Sequence, residues 1–386
     1  MIEVAAAALL VLLATIRLGP RGPTPDGSRP SCRWVPWAFM LGLAGAVAAH
    51  HWLVRPPDTV VDAESTRLVE HARPRLLQAL DDPRTHLLVV VNGASLTARG
   101  VDGQALESRL RRETGLQVAV IQLSLAGANH IERQAIARSL VNGLDRDARR
   151  QLSSIPMVVL WEVHRGYDNE LLAMLEENRG TARAFAYLDP AGAMTWLRAA
   201  ASSERPALRE QALGLAPVVA WHAGVSVLRI GSSHWFTPAA AVEPLPGFNP
   251  ETRLQETARV VGLAANVDRM EAIESPGAPL YIDSHLLPDY VGSFGNPRAQ
   301  VVFFSPPSRH VGHLAYVQQF CSDHRQRVCI GFRNRALLDR LDHRRYWVDG
   351  SHLSPPGAAI YTRWLAGVLG GAVIRHDLAR QRDDYG

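Results

Sequence analysis

The sequence predicts an α/β protein built on a parallel sheet, with a helical insertion and an apolar N-terminal region that crosses a membrane. Three observations carry this reading. Short β-branched or apolar runs at 87–91, 118–121, 157–161, 301–304 and 328–330 alternate with helix-like segments, the pattern of strands joined by right-handed crossovers. Two long apolar runs precede the first of them. Near the C-terminus, Trp347-Val348-Asp349-Gly350-Ser351-His352 sets a carboxylate and an imidazole three positions apart, just before a helix-like segment.

Composition narrows the function classes. The 386 residues carry a formal charge of only +4, from scattered arginines rather than a dense basic block, so nucleic acid is not an expected partner. The 15 histidines are dispersed and form no HExxH or His-x-His cluster, and no metal or other cofactor is expected. The three cysteines show no CxxC spacing. Cys321 and Cys329 flank a short basic segment, where they form a disulfide in an oxidising compartment or stay as two free thiols around a strand start.

Residues 2–16 are apolar apart from Glu3, and 35–54 form a second apolar run flanked by Trp37 and Trp52. The second is long enough to span a bilayer, and its tryptophans fall at interfacial depth. Arg17, Arg21, Arg29 and Arg33 crowd the loop between the runs, which places that loop in the cytoplasm and everything after Arg55 outside it. A cleaved signal peptide fits less well, because no positive charge precedes the first run and no small-x-small site follows it. A helical hairpin buried in a soluble protein is the remaining alternative. The expected organisation is an anchor over 1–56, an α/β domain over 57–375 and a polar tail over 376–386.

Within the domain, 58–82 reads as an amphipathic helix. The first strand, 87–91, ends in Asn92-Gly93-Ala94-Ser95-Leu96, and a helix over 103–114 closes at Gly115. The second strand leads into Ser124-Leu125-Ala126-Gly127-Ala128-Asn129 and a helix through 144. The third strand ends at Trp161-Glu162. The insertion, 166–268, reads as helices and loops; its apolar run at 213–228 is a core helix or a face resting on the bilayer. The fourth strand ends in Ser305-Pro306-Pro307, a helix follows over 312–320, and 357–369 forms the last helix. No internal repeat is present.

In parallel sheets of this kind ligands sit at the carboxyl ends of the strands. Ser95, Gly127 and Glu162 fall there on three successive strands. A serine hydroxyl becomes a nucleophile when an adjacent base takes its proton. Ser95 is therefore the candidate nucleophile, His352 the base and Asp349 the residue that orients it. The N–H groups of Ser95 and Gly127 are candidates for the oxyanion hole.

These residues resemble the motif blocks of SGNH/GDSL-type hydrolases. Gly93-Ala94-Ser95-Leu96 is similar to the first block, Leu125-Ala126-Gly127 sits where the second places its oxyanion glycine, and Asp349-Gly350-Ser351-His352 with Pro356-Gly357-Ala358 resembles the last. The resemblance spans about 87–369. It implies a three-layer αβα parallel sheet of the SGNH/flavodoxin-like kind and a serine acyl-enzyme mechanism. The family's third block supplies an asparagine, where this chain reads Trp161-Glu162-Val163-His164. Asn169, by a longer loop, and Asn129 are the two candidates for that donor, with Glu162 left a structural role.

Membrane-anchored bacterial members, such as D-alanyl transfer and polysaccharide O-acetylation proteins, work beside a membrane-bound acyltransferase. The resemblance thus implies an esterase or O-acyltransferase outside the cytoplasmic membrane, acting on small acyl esters of an envelope polysaccharide. An inactive scaffold or glycan-binding module of the same fold is the competing reading. Each site residue also has a structural alternative. Ser95 caps a helix or turn, His352 and Asp349 shape the turn before the Pro-Pro pair, and Gly127 serves a tight turn. Asp283-Ser284-His285 is a second acid–imidazole pair, resembling the Asp-x-His motif of alginate-type acetylases; it has no downstream Gly-Ala and ranks behind Asp349 and His352.

Overall fold

The computed structural model describes residues 63–128, 130–163, 287–308, 328–330 and 335–374, together with positions 210, 317, 320 and 321. Five strands form one all-parallel sheet: β1 Leu87–Gly93, β2 Val118–Ser124, β3 Met157–Glu162, β4 Ala299–Phe304 and β5 Val328–Ile330, in the order β2-β1-β3-β4-β5. This order reverses direction between β1 and β3, which creates a crevice at their carboxyl ends. β1 and β3 are buried at every position, so the sheet is covered on both faces, as their unbroken apolar runs require.

The helices fall into two packed groups. One holds α1 (Ala63–Asp81) with α4 (His130–Asn142) and α5 (Arg146–Ser154); α6 (Leu287–Gly292) lies against α4. The other holds α2 (Ser95–Gly100), α3 (Gly103–Thr114), α7 (Arg335–Leu341) and α8 (Pro355–Val368). On α1 the buried positions Leu68, Val69, Ala72, Leu76, Ala79 and Leu80 follow helical spacing, and Pro74 falls on the exposed side. Asp102 caps α3 by accepting from Gln104 N–H and Ala105 N–H, both at 3.0 Å, and Gly115 ends it with φ 72°. Asp145 caps α5 through Ala148 N–H at 2.8 Å.

The expected strands recur with shifted ends, as do the expected helices that fall among the described residues; the helix expected over 312–320 lies largely outside them. β1 runs two residues further than the apolar pattern indicates, because Asn92 and Gly93 continue the ladder, pairing with Leu123 and Ser124 of β2. Asn92 is buried there rather than shaping a loop. The helix expected to run through 144 stops at Asn142, and α5 is a separate element that periodicity missed; its 9 residues are too short to show a sustained stripe. The last helix begins at Pro355, whose fixed φ and missing N–H suit a first turn.

No helix of the described residues is long and apolar enough to cross a membrane. The anchor (1–56), the insertion (166–268) apart from position 210, and the tail (376–386) lie outside those residues, as do the Asp283/His285 pair, Asn129 and Asn169. Cys321 and Cys329 are joined in a disulfide with 5.6 Å between their Cα atoms, which selects the paired alternative.

Candidate active site

The site is assembled at the carboxyl ends of β1 and β3 by three segments. Ser95 is the first residue of α2, reached by the short link Gly93-Ala94 from β1. Ala94 occupies the cap position and makes no side-chain cap. Ser95 does not cap the helix either: its Oγ lies 2.9 Å from His352 Nε2.

The loop carrying Asp349 and His352 is held by its two ends. Trp347 and Leu353 pair as an antiparallel bridge, Val348 N–H donates to His352 O at 2.9 Å, and all three side chains are buried. Trp347 Nε1–H donates to Leu341 O at 2.8 Å, fixing the indole under the loop. Apolar residues thus pin the flanks while the polar residues between them stay part-exposed at the surface of the crevice.

Asp349 serves the loop and the histidine at once. Its Oδ1 accepts the N–H groups of Ser351 and His352 at 2.7 and 2.8 Å, and its Oδ2 accepts from His352 Nδ1 at 2.8 Å. A carboxylate only accepts, so the Nδ1 atom carries the proton and Nε2 is left to accept from Ser95 Oγ–H. Burial pushes the Asp349 carboxyl up, but the hydrogen bonds from His352 and from the Ser351 and His352 N–H groups outweigh it. The net result is a carboxyl below its ordinary range, ionised at neutral pH. Arg99 Nη1 lies 3.9 Å from Asp349 Oδ2 and adds a nearby positive charge.

α8 docks this loop against the segment that carries Ser95. Thr362 Oγ1 accepts from Asp102 N–H at 3.1 Å and donates to Gly100 O at 3.4 Å, at the end of α2. Tyr361 Oη–H donates to Ser305 O at 3.0 Å, just past β4. Ser354 Oγ–H donates to Arg345 O, and a Cβ on Gly357 would overlap the Tyr346 carbonyl oxygen. Close approach of α8 to the residues before the loop therefore requires glycine at that position.

Gly127 sits in a turn tied to the same strand end. Leu125 N–H donates to Gly93 O at 3.2 Å, Ala128 N–H closes the turn on Leu125 O at 3.0 Å, and Gly127 has φ 70°. It is exposed, one turn from the nucleophile link. Ser95, Asp349 and His352 are thus brought together, with Gly127 on the adjoining loop.

Sequence reasoning underestimated Glu162. It ends β3 fully buried, and its Oε2 accepts from Ala94 N–H at 2.8 Å, from Thr97 N–H at 3.1 Å and from the Thr97 hydroxyl. Arg133, also buried, brings Nη2 to 4.0 Å from Oε1 and lies over the Trp161 ring. An acidic residue closing an otherwise apolar strand was the available signal, since such a group is rarely buried without partners. Among the described residues no group of His, Cys, Asp and Glu side chains could hold a metal ion. No protein-family model matches the chain, and no curated protein matches it.

Proposed function

We propose that this chain is a membrane-anchored serine esterase or O-acyltransferase of the SGNH type, acting outside the cytoplasm on small acyl esters of an envelope polysaccharide. The observation that carries the chemistry is the continuous relay Ser95 Oγ–His352 Nε2 and His352 Nδ1–Asp349 Oδ2, at 2.9 and 2.8 Å. In the first step Ser95 Oγ attacks the acyl carbonyl while His352 takes the hydroxyl proton. Asp349 stabilises the imidazolium that forms. The N–H groups of Ser95 and Gly127 receive the oxyanion. Collapse expels the alcohol, which takes the proton back from His352. Water or a sugar hydroxyl then resolves the acyl-enzyme by the reverse sequence, and the choice between them separates hydrolase from transferase.

The placement outside the cytoplasm draws on the arginines of 17–33 and on the Cys321–Cys329 disulfide, which persists in oxidising compartments. A membrane-bound acyltransferase as partner rests on the family resemblance alone. The test is a fluorophosphonate probe, which labels only an activated serine. Labelling of the wild type that is lost in Ser95→Ala supports the proposal; an unlabelled wild type overturns it. One observation favours the scaffold reading, namely that no asparagine follows the third strand at the distance the family's third block implies, where this chain reads Trp161-Glu162-Val163-His164.

A further inference from the structure

The buried carboxylate of Glu162 reaches the link that carries the nucleophile. Its Oε2 binds Ala94 N–H at 2.8 Å and Thr97 N–H at 3.1 Å, one residue before Ser95 and two after it, and takes the Thr97 hydroxyl as well. The approach is close enough that a Cβ on Gly93 would overlap both Thr97 Oγ1 and the Glu162 carboxylate, so glycine at 93 is a condition of the contact. A carboxylate in this position is costly without compensation. The compensation is present in the three donors and in the buried Arg133 guanidinium, 4.0 Å from the second oxygen. Burial first, and then the Glu162 charge, push the Tyr361 phenol up.

Oε2 is taken up in accepting from these three donors and Oε1 faces the Arg133 guanidinium, so Glu162 offers no donor in place of an asparagine. Its three hydrogen bonds are directed at the nucleophile link, and they take the N–H of Ala94 and of Thr97 but not that of Ser95. We infer that Glu162 is a positioning residue for Ser95. It clamps 94–97 so that Ser95 Oγ meets His352 Nε2 and Ser95 N–H stays available to the developing oxyanion. The consequence for turnover rests on the esterase reading above; the clamp itself does not.

Glu162→Gln preserves shape but supplies one acceptor oxygen, and it aims an NH₂ group at either Arg133 or the Thr97 hydroxyl. The experiment uses the detergent-solubilised full chain. Hydrogen–deuterium exchange is followed in peptides covering 93–98, and fluorophosphonate titration of active sites accompanies kcat and KM on a small chromogenic acetyl ester. The expected result is exchange at Ala94 and Thr97 faster by an order of magnitude or more, with little change in the core strands. The kcat per titrated serine falls by about 100-fold, the scale of a nucleophile misplaced by about 1 Å, while KM changes by less than about threefold. Thr97→Val produces a smaller loss in the same parameters, and Thr97→Ser, which keeps the hydroxyl donor, recovers most of it. This pair decides the matter if Glu162→Gln does not fold.

Unchanged exchange at 93–98, or an unchanged kcat per titrated serine, overturns the inference. So does a uniform rise in exchange with kcat per site retained, the signature of a merely structural buried ion. If the wild type neither labels nor turns over ester, the esterase reading falls, and the exchange measurement alone decides whether the clamp exists.

Discussion

His352 Nε2 lies 2.9 Å from Ser95 Oγ although 257 positions separate the two residues. The closure is made by the fold rather than by either loop. Ser95 is delivered by β1, an interior strand of the sheet, and His352 by a loop whose following helix is bonded back to Gly100 and Asp102, at the end of α2. Both partners are therefore held in place by the fold itself, the kind of preorganisation that the proposed acyl transfer calls for.

Removing members of the relay should cost activity unequally. Ser95→Ala abolishes labelling and turnover. Asp349→Asn keeps most of the loop shape but loses the acceptor that fixes the His352 tautomer, and kcat drops by roughly 10²–10⁴-fold. Ester hydrolysis by each purified variant, normalised to folded protein by circular dichroism, checks the order. Equal activity in Ser95→Ala and wild type would remove Ser95 from the mechanism.

Asp349 also links the loop to pH. Its carboxyl titrates below the ordinary value in the folded chain, so ionised Asp349 favours the folded state. The sign follows from linkage: the contribution is complete above the unfolded carboxylate value, about 3.9, and is lost as pH falls through the lower folded value. Urea melts of wild type and Asp349→Asn should differ at pH 7 and converge towards pH 3. A gap that persists unchanged at pH 3 contradicts the assignment.

Two glycines of α8 should respond oppositely to alanine. At Gly357 a Cβ meets the Tyr346 carbonyl, so Gly357→Ala forces α8 away from the loop that carries Asp349 and His352, at a cost of about 1–3 kcal/mol, and slows fluorophosphonate labelling. At Gly367 a Cβ meets nothing within 4 Å and the position is exposed, so Gly367→Ala stabilises by roughly 0.5–1 kcal/mol. Thermal denaturation of the two variants reads the opposite signs.

The Cys321–Cys329 bridge closes a short loop, with a sequence separation of 8, ahead of β5. Chain entropy assigns such a crosslink about 2–3 kcal/mol. Alkylation of unreduced protein should leave both cysteines unmodified, as read by peptide mass spectrometry. Cys321→Ser/Cys329→Ser should lower the midpoint of unfolding, with reductant reproducing the effect in wild type.

Much of the sheet was legible because its strands are buried on both faces. Val89, Val120, Val159 and Phe303 stand in continuous apolar runs that few other structures accept. The ends were less legible. Asn92 and Gly93 look like turn residues but stay in the ladder, because neighbouring strands on both sides hold Asn92 in register. Of the site, Asp349 and His352 were readable from their spacing, since a three-residue offset lets one carboxylate cap the turn and hold the imidazole together. Thr97 had no local signal, because its partner lies 65 positions away.

The sequence by itself determined the order of strands and helices along the chain and the residue types offered at the strand ends. These follow from local rules: side-chain periodicity and turn chemistry. Only the tertiary structure decided which serine faces which histidine, and what a glutamate at the end of β3 binds. Those relationships depend on strand order and on the docking of α8, and a buried carboxylate chooses its partners only after the surrounding core has excluded water.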